Sequence, residues 1–202
     1  MKRIVEKFEP SVKSLLQTDT SELVGFTAGE NFSSFDEYLI SDNPGNARFD
    51  SSTGTGSTHV IFDESNNHKV VAYFTLAGGV IPYDDGNMED TAISNYPYVT
   101  AVELKMFAVS KEYQDCFMKN DDTGIPIAAW CLQYILAYLD YLSHNVIGFQ
   151  VVYLHSVPTA EMFYRQNGFQ DVTDKVSMLF SVDEDLKVMY KDINSNLLST
   201  IG

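Results

Sequence analysis

The stretch AEMFYRQNGFQ, residues 160–170, decides how this chain folds. Four of its residues recur at helical spacing and so share one face of a short helix. They are Ala160, Phe163, Tyr164 and Asn167. Gly168 can adopt the left-handed conformation that ends a helix, and Phe169 can then pack back against the last turn. The stretch therefore predicts a short, firmly packed helix, with Phe163 pointing into the core and Tyr164 leaning towards the end of the neighbouring strand.

A strand–helix–strand pattern precedes this short helix. Apolar runs predict strands over 101–109 and 149–155, with a helix over 127–144 between them. Such a βαβ unit makes its two strands parallel, with a right-handed crossover. Further upstream, residues 59–62 and 69–77 predict an antiparallel hairpin around a polar turn. Together these elements predict a mixed α/β fold that contains both antiparallel and parallel strands.

The length of 202 residues suits one sizeable hydrophobic core. We predict a single domain over residues 1–193, followed by a C-terminal tail over 194–202. Residues 10–17 are interpreted as a short helix. Residues 42–58 are rich in Gly, Ser, Asn and Thr and are interpreted as a loop.

The chain is strongly acidic, with 13 Lys and Arg against 28 Asp and Glu and a formal net charge of −15. This balance argues against nucleic acid and anionic membranes as partners unless the few cations are clustered. It favours cationic or neutral partners, or it serves only solubility. Two cysteines without a Cys-x-x-Cys spacing predict a reducing cytoplasm, and the four histidines lack metal-ligand spacing. The apolar run 125–142 is interrupted by Gln133 and Asp140, so it predicts a buried helix and not a membrane span.

Four segments resemble the GNAT superfamily of acyl-CoA-dependent N-acetyltransferases. They are VVAYFTLA (70–77), VELKMFAVSKEYQ (102–114), GFQVVYLHSV (148–157) and AEMFYRQNGFQ (160–170). They are similar to the third, fourth and fifth strands of the family and to its A-x-x-F/L-Y-x-x-x-G-F helix, the most specific of the set. The resemblance implies a single GNAT-like domain, a mixed sheet with splayed central strands, and acetyl-CoA as co-substrate. The segment FTAGENFSSFDEYL (26–39) further resembles the GNAT-type toxins of toxin–antitoxin systems.

The resemblance gives Tyr164 and Glu103 chemical roles. In the family, a tyrosine at the position of Tyr164 lies near the cofactor sulfur and protonates the departing CoA thiolate. Acyl transfer to an amine passes through a tetrahedral intermediate, and a positioned acid helps the thiolate to leave. Glu103 lies where some family members place the base that deprotonates the amine. As alternatives, Tyr164 is only a core residue and Glu103 is an edge or ion-paired residue. His155, at the end of the fifth strand, is a base or a substrate contact, or else it is structural or simply exposed.

Acetyl-CoA binding is implied for two further segments. Family members bind the pantetheine arm along exposed strand backbone, which places Phe107, Ala108 and Val109 along it here. The family's Q/R-x-x-G-x-G/A phosphate loop is matched in residues 113–126 only by Gln114.

Two alternatives follow for residues 113–126. In the first, Thr123 caps the long helix, and the backbone amides of Gly124, Ile125 and Ile127 still hold the pyrophosphate, helped by Lys111 or Lys119. In the second, the three aspartates of the segment repel phosphate, and binding is weakened or lost.

The favoured function is an N-acetyltransferase that moves an acetyl group from acetyl-CoA to a primary amine by direct attack in a ternary complex. The acidic balance favours a small-molecule or peptide amine as the acceptor. The alternatives are a GNAT-type toxin that acetylates aminoacyl-tRNA, and a catalytically degenerate module that binds CoA or another ligand. A homodimer is compatible with either enzyme, and no membrane partner is expected.

Overall fold

The computed structural model describes residues 3–82, 98–119, 124–173 and 185–193. The chain forms two compact units, each made of two stretches of sequence. The first unit comprises Met1–Ala77 and Lys105–Tyr134, and the second comprises Gly78–Leu104 and Ile135–Gly202. The tail predicted over 194–202 lies outside the described residues, and the single domain over 1–193 stays a prediction.

Four helices and ten strands lie within the described residues. The helices are α1 (Ser33–Ile40), α2 (Ala47–Thr53), α3 (Ile127–Asn145) and α4 (Glu161–Gln166). The strands are β1 (Arg3–Val5), β2 (Pro10–Ser14), β3 (Ser57–Asp63), β4 (Lys69–Pro82), β5 (Tyr98–Val109), β6 (Cys116–Met118), β7 (Ile125–Pro126), β8 (Val151–Ser156), β9 (Gln170–Asp171) and β10 (Lys187–Asp192). No helix in the described part of the chain is long and apolar enough to cross a membrane.

The first unit is built on an antiparallel sheet. β2 pairs with β3, and β3 pairs with β4 in the predicted hairpin. The turn between them uses two left-handed residues, Asn67 (φ 54°) and His68 (φ 57°). The fully buried side chains of Leu39, Phe62 and Tyr73 belong to one hydrophobic cluster, which joins this sheet to α1 and α2. Burial of these large apolar groups is what stabilises the unit.

A second, smaller sheet in the first unit has the strand order β1-β6-β7. β1 runs parallel to β6, and β6 runs antiparallel to β7, with Met118 opposite Ile125. The sheet thus ties the start of the chain to the segment that leads into α3.

The second unit contains a mixed set of strands. β5 pairs in parallel with β8, and β8 pairs antiparallel with β10 over six residue pairs. The core of this unit includes Ile81, Ala101, Val151, Tyr153 and Val188. Because α3 lies between β5 and β8 in the sequence and the two strands are parallel, the predicted βαβ unit is confirmed.

Two predictions about the N-terminal part of the chain were wrong. Residues 10–17 form strand β2 followed by a 3-10 turn, Leu15–Gln17, because β2 pairs with β3 along its whole length. Residues 42–58 are not only a loop, since they contain α2 and the start of β3. α2 is held by the buried carboxylate of Asp50, which accepts hydrogen bonds from the Tyr38 hydroxyl (2.9 Å) and from Lys105 Nζ (2.6 Å). Neither partner is close to Asp50 in the sequence, so a local pattern did not indicate this helix.

Candidate active site

The short helix α4 begins and ends as its sequence predicts. Pro158 is the first residue of a 3-10 turn, Pro158–Ala160, which continues into α4. Gly168 is left-handed, with φ 87°. The N–H of Gly168 donates to Arg165 O at 3.0 Å, and the N–H of Phe169 donates to Tyr164 O at 3.1 Å. These bonds satisfy carbonyls that the helix end would otherwise leave unpaired, so the orientation of α4 is fixed by its last turn.

Tyr164 is the buried aromatic residue of α4, and only 8% of its surface is exposed. Its ring packs edge-on against Phe163 and Phe169, with centroids 5.3 and 5.6 Å away. Phe163 is only partly buried, so the expectation that Phe163 is the core residue was wrong. The adjacent Phe169 covers Tyr164, because Gly168 turns the chain back over that side of the helix.

The phenol of Tyr164 is kept protonated. Burial raises the pKa of Tyr164 well above its usual range, because a phenolate is poorly solvated away from water. Its hydroxyl makes no hydrogen bond to any other residue in the described ranges. The hydroxyl oxygen is also not one of the fully buried side-chain atoms without a partner in the described residues, so this unused donor is placed to donate to a bound molecule.

Glu103 and His155 lie together at the end of the parallel ladder between β5 and β8. The last pair of that ladder is Glu103–Tyr153, while β8 continues to Ser156. His155 lies two residues beyond Tyr153 and therefore on the same face of the strand. Its Nδ1 is 3.4 Å from Glu103 Oε1, and about a quarter of each side chain is exposed, 26% and 23%. The two residues, which the sequence indicated separately, therefore form one polar pair.

Tyr153 supports this pair and was not indicated by the sequence. It is buried, and its ring contacts the His155 ring edge-on at 6.0 Å between centroids. Burial, and then the charge of Glu103, raise the pKa of Tyr153 to about 12. A Cβ atom on Gly79 would come within 2.7 Å of the Tyr153 hydroxyl oxygen. A glycine is thus required opposite Tyr153, and the Gly-Gly pair at 78–79 is the one signal that could have indicated this contact.

The predicted pantetheine contacts lie in the first unit, at the end of β5. Ala108 and Val109 are buried and Phe107 is partly buried. The carbonyl of Val109 accepts a hydrogen bond from Gln114 Nε2 at 3.0 Å, and the same nitrogen donates to Ala28 O at 2.8 Å. Gln114, the clean match to the family loop, therefore uses its amide nitrogen to hold the chain after β5.

In its described residues, the segment expected to hold pyrophosphate contributes β6 and β7 to the small sheet. Ile125 pairs with β6, and Ile127 is the buried first residue of α3. A Cβ atom on Gly124 would lie 3.1 Å from Met118 O and 3.2 Å from Phe117 Cβ. A larger residue at position 124 would therefore need the facing strand to move by a few tenths of an ångström. Thr123, the predicted helix cap, lies outside the described residues.

Few cations in the described residues are available to a polyanion. Eight of their eleven lysines and arginines form ion pairs with carboxylates. The other three are Lys111, Lys187 and Lys191. The aliphatic part of the Lys111 side chain lies over Gly29. In the part of the chain that the structure describes, no three His, Cys, Asp or Glu side chains are grouped to hold a metal ion.

Neither the family models nor the curated protein sequences match this chain. Solved structures of bacterial toxins do share its fold. A mutant of the toxin AtaT is 15% identical over 96% of each chain, with a TM-score of 0.67. An AtaT mutant bound to the C-terminus of the antitoxin AtaR and acetyl-CoA is 16% identical over 95% of this chain and 98% of that chain, with a TM-score of 0.62. AtaT complexed with acetyl-methionyl-tRNAfMet is 16% identical over 95% of this chain and 100% of that chain, with a TM-score of 0.63. The chain therefore shares its fold with these toxins.

Proposed function

We propose that this chain is an acetyl-CoA-dependent N-acetyltransferase that acts on a primary amine by direct attack in a ternary complex. The observation that carries the proposal is the protonated, unpaired phenol of Tyr164 on the helix that carries the most specific part of the family pattern. The solved AtaT structure with acetyl-CoA supports acetyl-CoA as the donor.

Tyr164 is proposed as the general acid. Its hydroxyl donates a proton to the CoA sulfur as the carbon–sulfur bond of the tetrahedral intermediate breaks. A phenol with a raised pKa holds its proton at neutral pH until the sulfur develops negative charge. Glu103 is proposed as the general base. It takes a proton from the ammonium group of the acceptor, which must become a neutral amine before it can attack.

The co-substrate is proposed to bind along backbone. The pantetheine arm pairs with the chain at Phe107, Ala108 and Val109, and the pyrophosphate is held by the amides of Gly124, Ile125 and Ile127. The first amides of a helix lack intrahelical partners and attract anions, which supports Ile127 in this role. Thr123 and Gln114 are proposed to hold the segment around the phosphates. These assignments rest on the family resemblance, residue by residue.

Aminoacyl-tRNA is the second candidate acceptor. AtaT with acetyl-methionyl-tRNAfMet and the toxin-like segment 26–39 both favour it. The sequence-based argument against nucleic acid as a partner therefore has no support from the structural neighbours. Against tRNA stand the net charge of −15 and the pairing of most described cations with carboxylates, because a nucleic-acid surface needs a stripe of uncompensated Lys and Arg. A small-molecule or peptide amine thus remains our first proposal for the acceptor.

Transfer of a labelled acetyl group tests the function and the acceptor together. Purified protein is incubated with [14C]acetyl-CoA and either spermidine, a lysine-rich peptide with a free N-terminus, or methionyl-tRNAfMet. Label on spermidine or the peptide supports the first acceptor class, and label on the tRNA supports the second. Absence of label on all three, with protein that binds acetyl-CoA, would favour a non-catalytic binding module.

A further inference from the structure

The side chain of Gln114 carries an inference that rests on the proposed function and deepens it. Its Nε2 donates to the carbonyl of Val109 at 3.0 Å and to the carbonyl of Ala28 at 2.8 Å. A glutamine amide nitrogen has two hydrogens to donate, and these two carbonyls account for both. Gln114 therefore joins the end of β5 to the loop 26–32, and its side chain has no N–H left to give to a phosphate.

The carbonyl of Val109 lies on the edge of β5 that faces away from β4. The N–H of Ser110 donates to Val71 O of β4 at 2.8 Å. The carbonyl of Val109 and the N–H of Ser110 belong to one trans peptide unit, in which these two groups point in opposite directions. Because β4 covers the first edge of β5, the pantetheine arm of the proposed function must pair along the second edge. Gln114 thus binds β5 on the edge that the co-substrate needs.

The loop 26–32 is itself held in place by Asp36 of α1. Asp36 Oδ1 accepts a hydrogen bond from the N–H of Ala28 at 2.6 Å, and its Oδ2 accepts one from the hydroxyl of Thr27 at 2.8 Å. The carbonyl of Thr27 in turn accepts from the N–H of Lys111 at 2.7 Å. The loop is therefore fixed to α1 on one side and to the residues after β5 on the other.

We infer that Gln114 and Asp36 are positioning residues for the pantetheine arm of acetyl-CoA. Asp36 fixes the loop 26–32, and Gln114 uses this loop as a support from which to hold the carbonyl of Val109. The end of β5 then keeps the extended edge that an added strand requires. The family resemblance assigns Gln114 to the phosphate loop, whereas its hydrogen bonds assign its side chain to the strand that receives the pantetheine.

The side-chain amide of Gln114 tests the link without any ligand. In a 1H–15N spectrum, Gln114→Met identifies the pair of signals that belong to this amide. We expect its hydrogens to exchange slowly with solvent in the wild type and faster in Asp36→Ala. The matched control is Asp19→Ala, which removes a similar pair of loop contacts, from Asp19 Oδ1 to the N–H and the hydroxyl of Ser21, both at 2.8 Å, and should leave the exchange unchanged. Wild-type exchange as fast as that of the exposed Gln17 would overturn the inference.

Binding of acetyl-pantetheine, which lacks the phosphates and the adenosine of acetyl-CoA, separates the two roles of Gln114. Gln114→Met keeps the length of the side chain and removes its donors. We expect the Kd for acetyl-CoA and the Kd for acetyl-pantetheine to rise by the same factor, about tenfold, which is the worth of one net hydrogen bond. Asp36→Ala should raise both by a smaller factor, about threefold, because it acts through the loop. Gln17→Met and Asp19→Ala should leave both unchanged.

The pair of affinities, measured by NMR titration, also separates positioning from stability. A variant that is only less stable keeps both Kd values in its folded fraction. A loss confined to acetyl-CoA would mean that Gln114 serves the phosphates and would overturn the inference. A wild type that binds neither molecule overturns the proposed function and, with it, the role of Gln114. A wild type that binds both, beside an unimpaired Gln114→Met, overturns this inference alone.

Discussion

The helix α4 and the segment 113–126 are both proposed to serve the same co-substrate, yet they are built on different physical grounds. α4 is held by its own neighbours in sequence, through Gly168 and the aromatic contacts of Tyr164. In the segment 113–126, the residues of β6 are held by a strand from the start of the chain, through the pairing of β1 with β6.

Under the proposed function, this difference would let the site keep its proton donor while its binding loop changes. A proton donor needs one side chain in a fixed position, and a local motif can fix it. Phosphate binding needs several backbone amides that point the same way, and this requirement can be met by more than one chain path.

The largest effect is expected for Tyr164→Phe. Loss of the hydroxyl removes the proposed proton donor but keeps the packed ring, so kcat should fall about 10²-fold or more while the Kd for acetyl-CoA stays unchanged. Steady-state kinetics and calorimetry measure the two quantities. Tyr141→Phe, at a well-exposed tyrosine of α3, is the control. Equal rates in wild type and Tyr164→Phe would remove Tyr164 from the mechanism.

Gly168→Val tests whether α4 is fixed by its last turn. A side chain at φ 87° is strained by about 1–2 kcal/mol, which lowers the melting temperature by about 2–8 °C for a chain of this size. The nearest atom to the new Cβ is Nζ of Lys191, which can move aside. Gly148→Val is the control, because Gly148 has no left-handed φ and no atom near its Cβ position. Equal melting temperatures for Gly168→Val and Gly148→Val would mean that the left-handed conformation of Gly168 does not fix the end of α4.

Gly124→Val tests whether the segment 113–126 binds the phosphates of acetyl-CoA. The new side chain is too close to Met118 O and Phe117 Cβ, so the strand must shift and carry the amides of Gly124 and Ile125 with it. The Kd for acetyl-CoA should rise about tenfold, or about 1.4 kcal/mol. Calorimetry with Gly148→Val as reference separates this loss from a general loss of stability. An unchanged affinity would show that these amides do not bind the phosphates.

The smallest effect is expected for Lys111→Gln. Lys111 is exposed and outside the ion pairs of the described residues, so it can attract phosphate, but solvent screens the attraction. We expect a loss of about 0.5–1 kcal/mol in acetyl-CoA binding that shrinks as salt is added. Lys7→Gln, at a lysine paired with Glu9, should have no effect. A salt-independent loss would point to packing over Gly29 and not to charge.

The sequence was most informative where neighbouring residues decide the structure. The hairpin, the βαβ unit and the end of α4 at Gly168 could all be predicted, because turn residues and apolar periodicity are local signals. The sequence could not predict which of Phe163 and Tyr164 is buried. Both lie on one helix face, and the choice depends on Phe169, which packs over Tyr164 after Gly168 turns the chain back.

The remaining features depend on residues that are distant in the sequence, so no local pattern indicated them. Residues 10–14 are a strand only because β3 lies beside them, and α2 depends on partners of Asp50 that are distant in sequence. The contact between Glu103 and His155 depends on the register of β5 against β8, and a shift of one residue would place the two side chains on opposite faces. The sheet formed by β1, β6 and β7 depends on the first residues of the chain, which no pattern near residue 120 could indicate.

Calorimetric titration of the purified wild-type chain with acetyl-CoA tests the account most directly, because every proposed step requires that the altered segment before α3 still binds this molecule. The account predicts saturable heat with one site per chain. Absence of heat at millimolar acetyl-CoA would contradict it and would leave the chain as a module with the fold of the AtaT toxin that serves another ligand.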